Sequence, residues 1–113
     1  MEIDEDAFER LVDRGLDLVP EELLAMLDNV VILVEDQHPQ EPDLLGLYEG
    51  IPLTERDFYA GVLPDRIMIY REALCRMCDT REELVEGVAV TVVHEIAHHF
   101  GIDDDRLHDL GWG

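Results

Sequence analysis

The stretch from Thr80 to Asp104 constrains this chain more than any other. Thr80-Arg81-Glu82-Glu83 reads as a helix start: Thr80 is the N-cap, Glu83 completes a capping box, and Glu82 complements the positive end of the helix dipole. The helix runs to Phe100, and Gly101 is its natural stop, because glycine takes the left-handed conformation that ends helices. At about 100° per residue with His94 at zero, His98 falls near 40° and Glu95 near 100°, so the three share one side. The opposite side, from about 160° to 300°, carries Val85, Ala89, Val92, Val93, Ile96, Ala97 and Phe100, which predicts a buried back. Gly87 and Thr91 fall on the front with the histidines, where Gly87 would let another backbone or a substrate approach. A helix with an apolar back and a histidine-bearing front needs a second layer to cover the back.

The front carries H-E-x-x-H as His94-Glu95-Ile96-Ala97-His98. Two imidazoles one turn apart can reach a single zinc ion, which takes neutral nitrogen donors. A carboxylate beside a metal-activated water can take its proton, and Glu95 is placed for that task. Gly101 lets the chain fold back, which makes Asp104 a candidate third ligand, with Asp103 and Asp105 as neighbouring alternatives. His99, near 140° on the wheel, reads as packed or solvated, and His38 as a loop residue. Tyr48, Tyr70, Arg106 and His108 are candidates for stabilising a developing oxyanion or for supporting the site from behind.

The remaining chain reads as a scaffold for that helix. Asp4 can cap a first helix over residues 4–18, with Ala7, Phe8, Leu11, Val12 and Leu16 as its apolar stripe. Pro20 suits the first turn of a second helix that ends near Asp28-Asn29. Val30 to Val34 is β-branched and short, which predicts a buried strand. Leu44 to Tyr48 is a second strand, whose Gly46 suggests a bulge or a close backbone approach. Residues 50–65 form a long connection carrying Thr54, Phe58, Tyr59 and Gly61. Arg66 to Arg71 is a third strand, followed by a short helix to about Cys78 and, after Gly101, a last helix over residues 103–110. Trp112 is expected to pack on the core. Two helices, then strands, then helices predict an α+β, two-layer arrangement of helices on a small mixed sheet of about three to four strands, one domain over residues 1–113.

Composition excludes some functions. Asp and Glu number 28 against eight Arg and no Lys, a formal charge of −20. Such a surface repels phosphate backbones and anionic lipids, so neither nucleic acid nor membrane is an expected partner. It fits a basic peptide or unfolded-protein partner, or simply solubility at high ionic strength, and charge of this kind speaks to solubility more directly than to function. The longest apolar runs are too short to span a bilayer and Met1 to Asp6 is acidic, which points to the cytoplasm. Cys75 and Cys78 supply only half of a four-ligand zinc site, with no second pair, so they read as reduced, tolerated thiols.

With these residues in view, the chain resembles the zincin metallopeptidases and, more narrowly, the small bacterial minimal zincin family with H-E-x-x-H-x-x-G-x-x-D. The matching residues are His94, Glu95, His98, Gly101 and Asp104, together with Leu44 to Gly50, Gly61 to Arg66 and Leu110-Gly111-Trp112. The resemblance implies a minimal zincin-like fold, one Zn2+ ion per chain on His94, His98 and Asp104, and Glu95 as general base in peptide hydrolysis. The chain departs from the metzincins in having Asp104 where they have a third histidine and in lacking a methionine turn. The competing readings are a non-proteolytic zinc-binding protein with an acidic docking surface and a metal-dependent ribonuclease. Glu95 disfavours the first, since a structural site needs only ligands, and the charge of −20 disfavours the second.

Overall fold

The computed structural model describes residues 1–27, 29–50, 64–109 and 111–112, apart from the side chain of Asp104. Of the predicted connection over residues 50–65, residues 51–63, with Thr54, Phe58, Tyr59 and Gly61, lie outside the described residues, and Asp65 already belongs to the strand that follows. Helix α1 spans Glu5–Leu18, and Asp4 caps it by accepting the Ala7 N–H at 2.7 Å. The short α2, Glu21–Leu24, follows Pro20, which stands at the N-cap rather than inside the first turn, and a 3-10 turn over Ala25–Leu27 ends it. Strands β1 (Val30–Glu35), β2 (Gly46–Glu49) and β3 (Asp65–Tyr70) come next. Helices α3 (Arg71–Met77), α4 (Arg81–Phe100) and α5 (Asp104–Asp109) complete the order. None of the helices among the described residues is long and apolar enough to cross a membrane.

Among the described residues the sheet is three-stranded and mixed, in the order β1-β3-β2. β3 is central, parallel to β1 (Val30↔Asp65 to Glu35↔Tyr70) and antiparallel to β2 (Gly46↔Ile69 to Glu49↔Arg66). Among the described residues β1 is therefore an edge strand, where its β-branched run predicted a buried one. Its alternate residues Val31 and Leu33 are exposed, while Val30, Ile32 and Val34 turn to the core. An apolar run fixes strand type, but its place in the sheet depends on distant pairings that no local pattern encodes. The alternation in β3 separates two faces. Ile67 and Ile69 join the main core with α1 and α4, whereas Met68 and Tyr70 pack with Leu44, Leu45, Leu47 and Ala73 on the other face.

The long helix is held as its ends predicted, with one change. Thr80 accepts the Glu83 N–H at 3.1 Å, but the Glu83 carboxylate reaches Asp79 N, one residue before the cap. Gly101 has φ 72, and Gly101 N–H and Ile102 N–H both point back to Ala97 O. The buried back extends further than the wheel predicted. Leu84, Val88 and Thr91 are buried along with Val85, Ala89, Val92, Val93, Ile96 and Ala97, because α1 packs on one flank of α4 and β2 on another. Phe100 is the exception at 42 % exposure, since the last turn runs past the edge of the core. Thr91 turns its hydroxyl to Gly87 O at 2.8 Å instead of joining an open front. Gly87 does admit a close neighbour, but the neighbour is α3: a Cβ there would meet Leu74 Cδ2 at 3.3 Å. Cys75 and Cys78 are buried and free, in keeping with their reading as structural thiols.

Candidate functional site

Three candidate side chains stand on the C-terminal half of α4. His94 is half-buried, Glu95 has 17 % of its side chain exposed, and His98 has 73 %. The two rings of His94 and His98 stand 6.3 Å apart, centroid to centroid, at 87° to one another. His98 Nδ1 faces Glu95 Oε2 at 3.8 Å. The helical spacing alone accounts for this side-by-side placement.

The sheet supplies the other half of the site. Gly46 lets β2 lie close against α4: a Cβ there would stand 2.5 Å from Thr91 Cγ2 and 3.8 Å from Glu95 Cγ. The glycine thus marks a close approach, one of its two sequence readings. Tyr48, on the same face of β2, donates its backbone N–H to Glu95 Oε1 at 3.1 Å. Its hydroxyl donates to Asp65 Oδ2 at 2.7 Å, and its ring stacks on His99 at 3.8 Å. Burial raises the Glu95 pKa above the usual carboxylate range, against the lowering effects of the Tyr48 N–H and of His98 and His94. A carboxylate held less acidic than usual, and oriented by a fixed donor, has the properties a general base needs.

The other predicted residues are placed unevenly. Tyr70 lies on the opposite face of the sheet, buried against the Met68 cluster and edge-on to His38, so it does not reach His94 or His98. Its strand parity differs from that of Ile67 by an odd number, and that places it away from α4. Arg106 and His108 are exposed on α5. His38 is a loop residue whose Nδ1 accepts the N–H groups of Gln40 and Glu41. Among the three candidate aspartates, Asp103 is occupied as the cap of α5, accepting Arg106 N–H at 2.8 Å, and Asp105 is exposed. Asp104 opens α5 three residues after the Gly101 turn, and its side chain lies outside the described residues. Asp65 was not singled out from the sequence. Reading β3 from Arg66 hid the fact that Asp65 shares the face of Ile67 and Ile69, where it is buried behind Tyr48.

Two imidazoles one turn apart with an acidic stretch beyond the helix stop are nitrogen and oxygen donors of the kind zinc takes. Imidazole rings on one tetrahedral zinc stand about 5 Å apart, so the observed 6.3 Å calls for a shift of roughly one ångström, which rotation of the exposed His98 side chain can supply. Among the described residues no three His, Cys, Asp or Glu side chains converge on one point.

A helix bearing H-E-x-x-H against a short mixed sheet whose edge strand meets the glutamate defines a zincin-type architecture. The zincin-like metallopeptidase family matches residues 27–112, and the chain belongs to that family. Among solved structures it is similar to a conserved hypothetical protein from Thermo thermophilus, at 25% identity and a TM-score of 0.58. That match covers 87% of this chain and 94% of the other. None of the curated proteins matches it.

Proposed function

We propose that this protein is a zinc-dependent peptidase in which His94, His98 and Asp104 hold the metal and Glu95 is the general base. The observation that carries this reading is the setting of Glu95: desolvated, beside both histidines, and fixed by a backbone N–H from the sheet. A structural site has no use for such a carboxylate, because only the ligands bind metal. When bound, zinc supplies a Lewis acid that lowers the pKa of a coordinated water and polarises the scissile carbonyl. Glu95 takes the proton from the attacking water and delivers it to the leaving nitrogen. Its Oε1 is engaged by Tyr48 N–H, which leaves Oε2, on the histidine side, to carry that proton. The substrate is a peptide that adds along the edge of β2. Tyr70 N–H bonds to Leu45 O, so alternation turns the main-chain groups of Gly46 and Tyr48 outward. Since Glu95 already takes the Tyr48 N–H, a peptide on this edge lies directly beside the base.

The test is metal content followed by cleavage. The purified protein is expected to hold about one zinc per chain and His94→Ala to hold almost none. Glu95→Gln should keep the metal and lose at least about a hundredfold in peptide hydrolysis. Zinc-loaded wild type and Glu95→Gln that are equally inert over a broad peptide set would refute the peptidase reading. Unchanged zinc in His94→Ala would refute the site.

A further inference from the structure

Beside His94, on the flank of α4 away from β2, a groove of about 460 Å³ opens between the end of α1 and the C-terminal segment. Leu18, Val90 and Trp112 form its apolar walls, Glu86 stands at one end and His94 at the other. Leu18 and Val90 are 49% and 44% exposed, large apolar side chains left open on a surface of net charge −20. Glu86 makes no hydrogen bond or ion pair among the described residues, although Glu82, one turn earlier, is paired with Arg14 at 3.1 Å.

We infer that this groove binds an arginine or lysine side chain of the peptide substrate, next to the bond being cut. The inference rests on the peptidase reading for where the peptide backbone lies. Glu86 and His94 are two helical turns apart on α4, about 12 Å. A leucine anchored at the histidines does not span that length, whereas a peptide backbone with an extended arginine or lysine does. The alkyl stem of such a side chain lies on Leu18 and Val90, and its cation meets Glu86. Trp112 adds an aromatic face for the cation. An apolar guest would strip water from Glu86 without giving it a partner. An acidic guest would meet Glu86 and a surface of the same sign.

Trp112 is the single tryptophan, so its fluorescence reports on the groove directly. The experiment titrates zinc-loaded Glu95→Gln, which binds without cutting, with three end-capped tripeptides that differ only in carrying Arg, Leu or Glu at one position. The Arg peptide is expected to bind most tightly and to shift the Trp112 emission. Adding Glu86→Gln should reduce the Arg-over-Leu affinity ratio about three- to fivefold, and 0.5 M salt should shrink it similarly. Equal binding of the three peptides, a ratio untouched by Glu86→Gln, or a silent Trp112 would each overturn the inference. Failure of the two readings looks different. If wild type cuts no peptide while the Glu86-dependent Arg preference persists, the peptidase reading falls and the groove stands. If wild type cuts Arg and Leu peptides with equal kcat/KM and Trp112 stays silent, the groove falls and the peptidase stands.

Discussion

Gly46→Ala tests whether the sheet sets the position of Glu95. The new Cβ would stand 2.5 Å from Thr91 Cγ2 and 3.0 Å from Met68 O, where ordinary carbon contacts lie near 3.5–4 Å. β2 must therefore move off α4 by about one ångström. The Tyr48 N–Glu95 Oε1 bond, now 3.1 Å, would then open beyond hydrogen-bonding distance. Overpacking of this kind costs about 1–3 kcal/mol, and a hydrogen bond to a charged group contributes about 1.5–3 kcal/mol. Water can reach the partly exposed carboxylate and recover some of the second amount, so about 2–4 kcal/mol is expected in total. In a domain of this size that is roughly a 10–20 °C fall in Tm. Thr91→Ser supplies the control, because it removes Cγ2 and keeps the hydroxyl that donates to Gly87 O. In urea titrations, Thr91→Ser should recover at least about 1 kcal/mol of the Gly46→Ala loss through a favourable coupling. Peptide hydrolysis should follow the recovery. If the two substitutions are additive within about 0.5 kcal/mol, the contact between β2 and α4 is not what Gly46 provides, and the argument fails.

Gly101→Ala forces a Cβ into a left-handed position and should cost about 1–2 kcal/mol, with Gly101→Asn milder; thermal melts decide this, and an unchanged Tm contradicts the role of the turn. Burial raises the Glu95 pKa, so its neutral form favours the fold; that contribution is complete below the ordinary carboxylate value near 4.3 and is lost as pH rises through the raised one. Glu95→Gln keeps an acceptor for Tyr48 N–H, so in zinc-free protein its urea midpoint should gain on wild type between pH 3.5 and 7, where a constant difference would be the contrary result. Burial also raises the pKa of both Cys75 and Cys78, so Ellman's reagent at pH 8 should find neither thiol quickly in the native protein and both in urea. One fast native thiol would contradict that placement.

Much of this was legible where the cause is local. Asp4, Thr80 and Gly101 act within one turn of themselves, so caps and stop could be read directly from the chain. The H-E-x-x-H geometry is equally local, since four residues of helix place both imidazoles. Other features depend on contacts between distant segments. The edge position of β1 depends on β3 taking the centre, and the far-face position of Tyr70 depends on where the parity of β3 starts. The exposure of Phe100 depends on where the core ends, which a helical wheel does not know. Asp65 escaped notice because its role exists only once Tyr48 lies across from Ile67.

That last dependence reaches the candidate base. Three contacts of Tyr48 converge on this site: its N–H meets Glu95, its hydroxyl meets buried Asp65, and its ring lies on His99. All three require the register Gly46↔Ile69 and Tyr48↔Ile67. A slip of one residue would turn Leu47 toward α4 and Tyr48 to the other face, because side chains alternate along a strand. Gly46 would leave its place under Thr91 in the same step. The motif on α4 therefore places Glu95 beside the histidines, but it does not orient the carboxylate or withdraw it from water. Those properties come from β2 in one register, so a variant with an intact H-E-x-x-H and a shifted β2 would carry the same motif and a different base.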